Sequence, residues 1–144
     1  MLIKVRGGNK LQRALAEDIA AFMDETFTSK LTTLYVEIVI RKFNKSGEEA
    51  ITGWCCWEDD NVRPREFKIE ASSELSRIDF IKTIIHEFVH VKQYALGEMK
   101  ERFRGGHRVL WKEKDYSSTS YSKQPWEREA YKKQETLFHR YLER

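Results

Sequence analysis

His86, Glu87 and His90 fall within the run His86-Glu87-Phe88-Val89-His90, the pattern H-E-x-x-H. On a helix, residues four apart share a face with Cβ atoms about 6 Å apart, so both imidazoles can reach one metal ion. The glutamate beside the first histidine can then hold and deprotonate a water. Zinc suits this set, because neutral imidazole is a good ligand and a catalytic site of three protein ligands leaves one position for that water. A water so placed has a pKa near ~7 instead of ~16, which supplies hydroxide at neutral pH. The expectation is one zinc ion, with His86 and His90 as ligands and Glu87 as the catalytic base.

A third ligand must come from downstream. Gln93 stands where a longer H-E-x-x-H-x-x-G-x-x-H motif would place glycine, and no histidine follows closely. His107, Glu113, Asp115, Glu127, Glu129 and His139 are the candidates. At 100° per residue, a helix opening at Pro125 puts Trp126, Ala130, Leu137 and Tyr141 on one side of a broad apolar face and Tyr131, Phe138 and Leu142 on the other. Glu127 projects from the middle of that face, whereas Glu129 points about 160° away, beside Lys132 and Lys133. An unpaired carboxylate in an apolar face costs several kcal/mol, so Glu127 needs a cation. Glu127 is therefore the first choice of ligand and Glu129 the second. A buried salt bridge from Glu127, for instance to Lys82 or to the neighbours of Arg128, is the competing explanation.

The elements that must position these residues are legible in outline. Ser76 followed by Asp79 caps the strongest helix, which runs to about Leu96 and stops at Gly97. Its polar residues Asp79, Thr83, His86, His90 and Gln93 draw one stripe along an apolar helix that includes Ile78, Ile84, Ile85 and Phe88. Buried without partners, such a stripe costs about 1–3 kcal/mol per group, so something must face it. Asn9 caps an N-terminal helix with Leu11, Leu15, Ile19, Phe22 and Met23 on its core face. Residues 34–43 and 50–57 read as strands joined in a hairpin by a turn at Asn44 to Glu49, and Glu58 to Asn61 reads as a polar turn. Phe67, Ile69 and Ala71 alternate with charged residues in a third strand, which Pro64 places at an edge. The stretch from Gly97 to Pro125 reads as a loose segment, and Pro125 opens the last helix, to about Leu142. The fold class is α+β: a small, largely antiparallel three-stranded sheet on the H-E-x-x-H helix, flanked by an N-terminal and a glutamate-bearing C-terminal helix, all in one domain spanning 1–144.

The chain has 144 residues, 26 basic and 23 acidic side chains, and two adjacent cysteines, Cys55 and Cys56. That length buries a core without disulfide staples, and adjacent cysteines are poorly placed to pair. The expectation is a reducing, cytoplasmic setting, with both cysteines packing in a strand. No apolar run reaches the ~18 residues of a membrane span, and Glu17 and Asp18 interrupt what a signal peptide would keep apolar. Residues 97–144 carry 12 basic and 8 acidic side chains, so the net charge of +3 is concentrated there.

His86-Glu87-Phe88-Val89-His90-Val91-Lys92-Gln93-Tyr94, with Pro125-Trp126-Glu127-Arg128-Glu129-Ala130-Tyr131 downstream, resembles a small gluzincin-type zinc metallopeptidase. The likeness is to short metallopeptidases of phage and bacterial genomes, and more distantly to SprT-like domains, which take a third histidine soon after the motif. The resemblance spans residues 64–142. It implies that Glu127 binds zinc, that Tyr131 supports the site, and that an edge strand, here Arg65 to Ala71, binds an extended protein or peptide substrate by strand addition. His107, Tyr116 or Tyr121 would assist the oxyanion. Two other readings compete with a general peptidase. One is a nucleic-acid-associated or protein-binding module with structural zinc, contacting its partner through Lys100 to Lys114. The other is a peptidase-like domain with a single dedicated protein substrate.

Overall fold

The computed structural model describes residues 1–27, 33–43, 52–61 and 63–144. Among the described residues, seven strands and three α-helices follow in the order β1 (Leu2–Gly7), α1 (Lys10–Phe27), β2 (Tyr35–Arg41), β3 (Gly53–Trp57), β4 (Glu66–Ser72), α2 (Arg77–Ala95), β5 (Met99–Arg102), β6 (Arg108–Trp111), β7 (Lys114–Asp115) and α3 (Pro125–Glu143). The class is α+β, as expected.

Local chemistry sets the helix ends. Asn9 and Gln12 cap α1 reciprocally: the Gln12 N–H donates to Asn9 Oδ1 at 2.8 Å and the Asn9 N–H to Gln12 Oε1 at 2.9 Å. Ser76 Oγ accepts from the Asp79 N–H at 3.2 Å and starts α2. Gly97, at φ +73°, stops it. There the Glu98 N–H reaches Gln93 O and the Gly97 N–H reaches Tyr94 O, the paired closure that a left-handed residue after a helix permits. Pro125 opens α3 at its first turn.

The sheet differs from the expected one in two ways. It has four strands in the order β1-β2-β4-β3, and it is mixed: β1 and β4 both run parallel to β2, while β3 runs antiparallel to β4. The hairpin is therefore β3–β4, closed through Glu58 to Asn61, and not a pairing of β2 with β3. The Asp59 carboxylate shapes that turn by accepting from the backbone N–H of Arg65 at 3.1 Å. The turn expected at Asn44 to Glu49 lies outside the described residues, as do Ala50 and Ile51.

Second, β4 is central and not an edge. Pro64 precedes the strand, so it removes no donor from the ladder. Five of the seven β4 residues are buried, among them Glu70, whose carboxylate takes the Arg41 guanidinium at 3.2 Å. The edge beside α2 is β3, while the other edge, β1, packs on α1.

The core runs from Ile19 and Met23 of α1 through Val36, Ile38, Phe67 and Ile69 of the sheet to Ile84, Phe88 and Val91 of α2. Leu11 and Ile78, expected inside, are exposed. Helix α2 lies along β3 and β4, with α1 and α3 packed against it. The Tyr141 hydroxyl donates to Asp18 at 2.6 Å and ties the end of α3 to α1. The segment after Gly97 is ordered rather than loose: β5, β6 and β7 form a second antiparallel sheet, followed by a single 3-10 turn at Tyr121–Lys123.

Candidate metal centre

Helices α2 and α3 cross so that Glu127, in the first turn of α3, faces the two histidines on α2. His90 Nε2 lies 2.6 Å from Glu127 Oε1, and His86 Nε2 lies 3.4 Å from Oε2. The three potential ligand atoms lie within 4.8 Å of one another, and all three residues are buried. Among the described residues this is the group that could hold a metal ion.

The donor set passes a chemical test of fit. Both Nε2 atoms point inward while both Nδ1 atoms are occupied behind them, His86 Nδ1 with Gln134 Oε1 at 2.9 Å and His90 Nδ1 with Gln93 Oε1 at 2.7 Å. Histidine ligands ordinarily carry such an outer bond. Burial would raise the Glu127 carboxyl, but bonds from His86 and His90 outweigh it and hold the group well below the usual carboxylate range. Burial would likewise depress His90, but Glu127 and Glu87 raise it. The carboxylate thus sits where a cation is favoured.

Glu87 lines the same cavity, of about 570 Å³, with Thr52, Gly53, Cys55, Thr83, Tyr121 and Tyr131 among the walls. Burial pushes its carboxyl up, as does the negative Glu127, against the pull of His90 and His86. The Glu87 carboxyl therefore holds its proton more tightly than an ordinary glutamate. Gly53 brings β3 against α2: a Cβ there would stand 2.6 Å from Thr83 Cγ2 and 2.9 Å from Glu70 O. Cys55 stays a protonated thiol, because burial first and the charge of Glu87 second raise its pKa well above normal.

The remaining candidates fall elsewhere. Glu129 is not in the cluster, and its carboxylate takes Gln93 Nε2 at 3.1 Å and Lys92 Nζ at 3.5 Å. Contacts to α2 thus take the place of a solvated pairing, but Lys133, one of the two lysines expected from helix phase, still acts on Glu129 through its charge. Lys82 pairs with Glu135, not with Glu127. Glu113 pairs with Lys100, Asp115 with Ser117, and His107 with Glu101 at 2.7 Å, while His139 is exposed on α3. Of the three tyrosine and histidine candidates for the oxyanion, Tyr121 lines the cavity; its hydroxyl donates to Glu127 Oε2 at 2.6 Å and lies 3.1 Å from that of Tyr131. Tyr116 packs edge-on against Trp126. The Tyr131 ring covers His86, with centroids 4.6 Å apart.

Gln134 was not anticipated from the sequence. It stands seven residues after Glu127, two turns along the same face, and that spacing was the available signal. The wall contributed by Thr52 to Cys55 could not be anticipated without the strand order.

Among the described residues no helix is long and apolar enough to cross a membrane. Comparison with known proteins finds no matching family model, no matching curated protein and no matching solved structure.

Proposed function

We propose that the chain is a zinc-dependent peptidase. The observation that carries this reading is the convergence of His86, His90 and Glu127 on one point, with the Glu87 carboxylate in the same cavity. Two histidines and a glutamate are a known ligand set for catalytic zinc. When bound, zinc would supply Lewis-acid polarisation of a carbonyl and a lowered pKa for water.

The protein's own groups supply the rest. Glu87 takes a proton from the attacking water and returns it to the leaving amine nitrogen, a transfer favoured by its raised carboxyl pKa. Tyr121 brings to the cavity a hydroxyl whose proton is given to Glu127 Oε2; once that carboxylate turns to the metal, the O–H is the type of group that stabilises a developing oxyanion. Strand β3 ends the sheet beside the cavity, and among the described residues nothing pairs with its outer edge. An extended peptide can therefore add to it through backbone hydrogen bonds, with its carbonyl brought next to Glu87. The substrate edge is then Gly53 to Trp57, in place of the Arg65 to Ala71 segment that sequence suggested.

Glu87→Gln tests this reading. The variant should keep about one zinc per chain while hydrolysis of an unfolded protein falls by at least ~10²-fold, the scale of a lost general base. Unchanged hydrolysis would remove Glu87 from the mechanism.

A further inference from the structure

Two glutamates stand two residues apart at the start of α3, and only Glu127 is in the metal cluster. Glu129 lies behind it, bonded to Gln93, which is itself bonded to His90. We propose that Glu129 is a positioning residue: through Gln93 it fixes the imidazole of His90 with its proton on Nδ1 and its Nε2 turned toward Glu127 and the metal position.

Hydrogen-bond bookkeeping at Gln93 carries the inference. An amide has two N–H donors on nitrogen and acceptor capacity on oxygen only. Gln93 Nε2 is 3.0 Å from the backbone oxygen of Trp126 and 3.1 Å from Glu129 Oε1, so both of its protons are committed to acceptors. Reversing the amide would set its oxygen against a carbonyl and a carboxylate, in a side chain with no solvent exposure. The orientation is thus forced, and it is Gln93 Oε1 that faces His90 Nδ1 at 2.7 Å. An oxygen only accepts, so Nδ1 must bear the proton.

Removing the Glu129 acceptor frees one amide proton and weakens the reason for that orientation. Lys92 holds the far end of the relay, since its ammonium reaches Glu129 Oε1 at 3.5 Å and Glu98 Oε1 at 2.8 Å. His86 is held differently. Gln134 Oε1 faces its Nδ1, but the Gln134 amide nitrogen has a single exposed partner, Glu135, at 3.2 Å.

The inference rests on the metal-site reading for its purpose, but not for its geometry, so the test has two parts. In metal-free wild-type protein, the His90 Nδ1–H should appear in proton–nitrogen correlation spectra as a signal protected from solvent exchange, whether His90 is neutral or charged. A bare or freely exchanging Nδ1 overturns the proposal, and this holds even if the protein binds no zinc, the result that would instead sink the metal reading.

The second part compares Glu129→Gln with Glu129→Leu, using competition with a chromophoric zinc chelator. The glutamine keeps an oxygen acceptor for Gln93 and loses the charge; the leucine loses both. Glu129→Gln should bind zinc within about threefold of wild type. Glu129→Leu should bind it ~10–100-fold more weakly, the usual cost of losing an outer-sphere partner, with the His90 Nδ1–H signal lost and that of His86 kept. Equal weakening in both variants would make the Lys92 ion pair the relevant contact, and wild-type affinity in Glu129→Leu would remove the role altogether. If Glu129→Leu does not fold, Gln93→Met, which keeps length and loses the hydrogen bonds, should show the same weakening; zinc binding at wild-type strength there overturns the relay.

Discussion

Among the described residues, two histidine–glutamate pairs have nearly equal length. His90 Nε2 and Glu127 are 2.6 Å apart, and His107 Nε2 and Glu101 are 2.7 Å apart. What separates them is surroundings. The side chains of the first pair are 9% and 10% exposed; those of the second are 53% and 18% exposed. His90 and Glu127 sit between two helices with a second histidine converging and each outer ring nitrogen occupied. His107 lies near the turn between β5 and β6, stacked on Phe103, and its carboxylate partner is shared with the Tyr94 hydroxyl. A contact distance does not distinguish a candidate metal site from an exposed histidine–carboxylate contact. Burial, convergence and outer hydrogen bonds do.

The sharpest way to break the comparison is to remove one member of each pair. Four-ligand zinc sites gather roughly 10–16 kcal/mol, so one ligand carries about 2.5–4 kcal/mol, or ~100–1000-fold in affinity. Glu127→Ala and His90→Ala should lose zinc on that scale in elemental analysis, while His107→Ala should retain wild-type content. Backbone contacts should divide along the same line. Gly53→Ala drives a methyl into Thr83 and Glu70 O, and should cost about 1–3 kcal/mol in denaturant unfolding. Gly105→Ala meets nothing within 4 Å. Its cost should be confined to its positive φ of +79°, about 1 kcal/mol.

A pH series on the metal-free protein sharpens the contrast further. Glu127 is depressed below its ordinary 4.5, so its contribution to stability is present above that pH and is lost as the pH falls. His90 is raised above 6.5, so its contribution is present below that pH and is lost as the pH rises through the raised value. Metal-free protein should therefore melt highest between these limits, and Glu127→Gln should flatten both limbs. The smallest effect belongs to the exposed pair: His107→Ala should change stability by less than ~1 kcal/mol, and added salt should erase the difference.

The same contrast explains which parts of the fold were legible. The helices and their ends were, because caps act within four residues: Asn9, Ser76 with Asp79, Gly97 after Leu96, and Pro125. The motif and the preference for Glu127 over Glu129 followed from helix phase, which is also local. Strand partners were not legible, because β2 and β4 pair across residues far apart in sequence and nothing near Pro64 reveals that β4 has neighbours on both sides. The second sheet was hidden for a further reason. Lys112 and Glu113 make the turn between β6 and β7 at φ of 49° and 72°, where asparagine and glycine would normally announce it. Gln93 was visible as one of a polar stripe, but its link to His90 and Glu129 required the packing of α3 on α2.

Crystallographic location of zinc by anomalous scattering, on protein loaded with one equivalent, tests the metal centre most directly. One peak should appear between α2 and α3, about 2.0–2.2 Å from the Nε2 atoms of His86 and His90 and from a carboxylate oxygen of Glu127. A peak elsewhere, on His107 or on the Cys55 sulfur, or no peak at all with the His90–Glu127 contact intact, would contradict it.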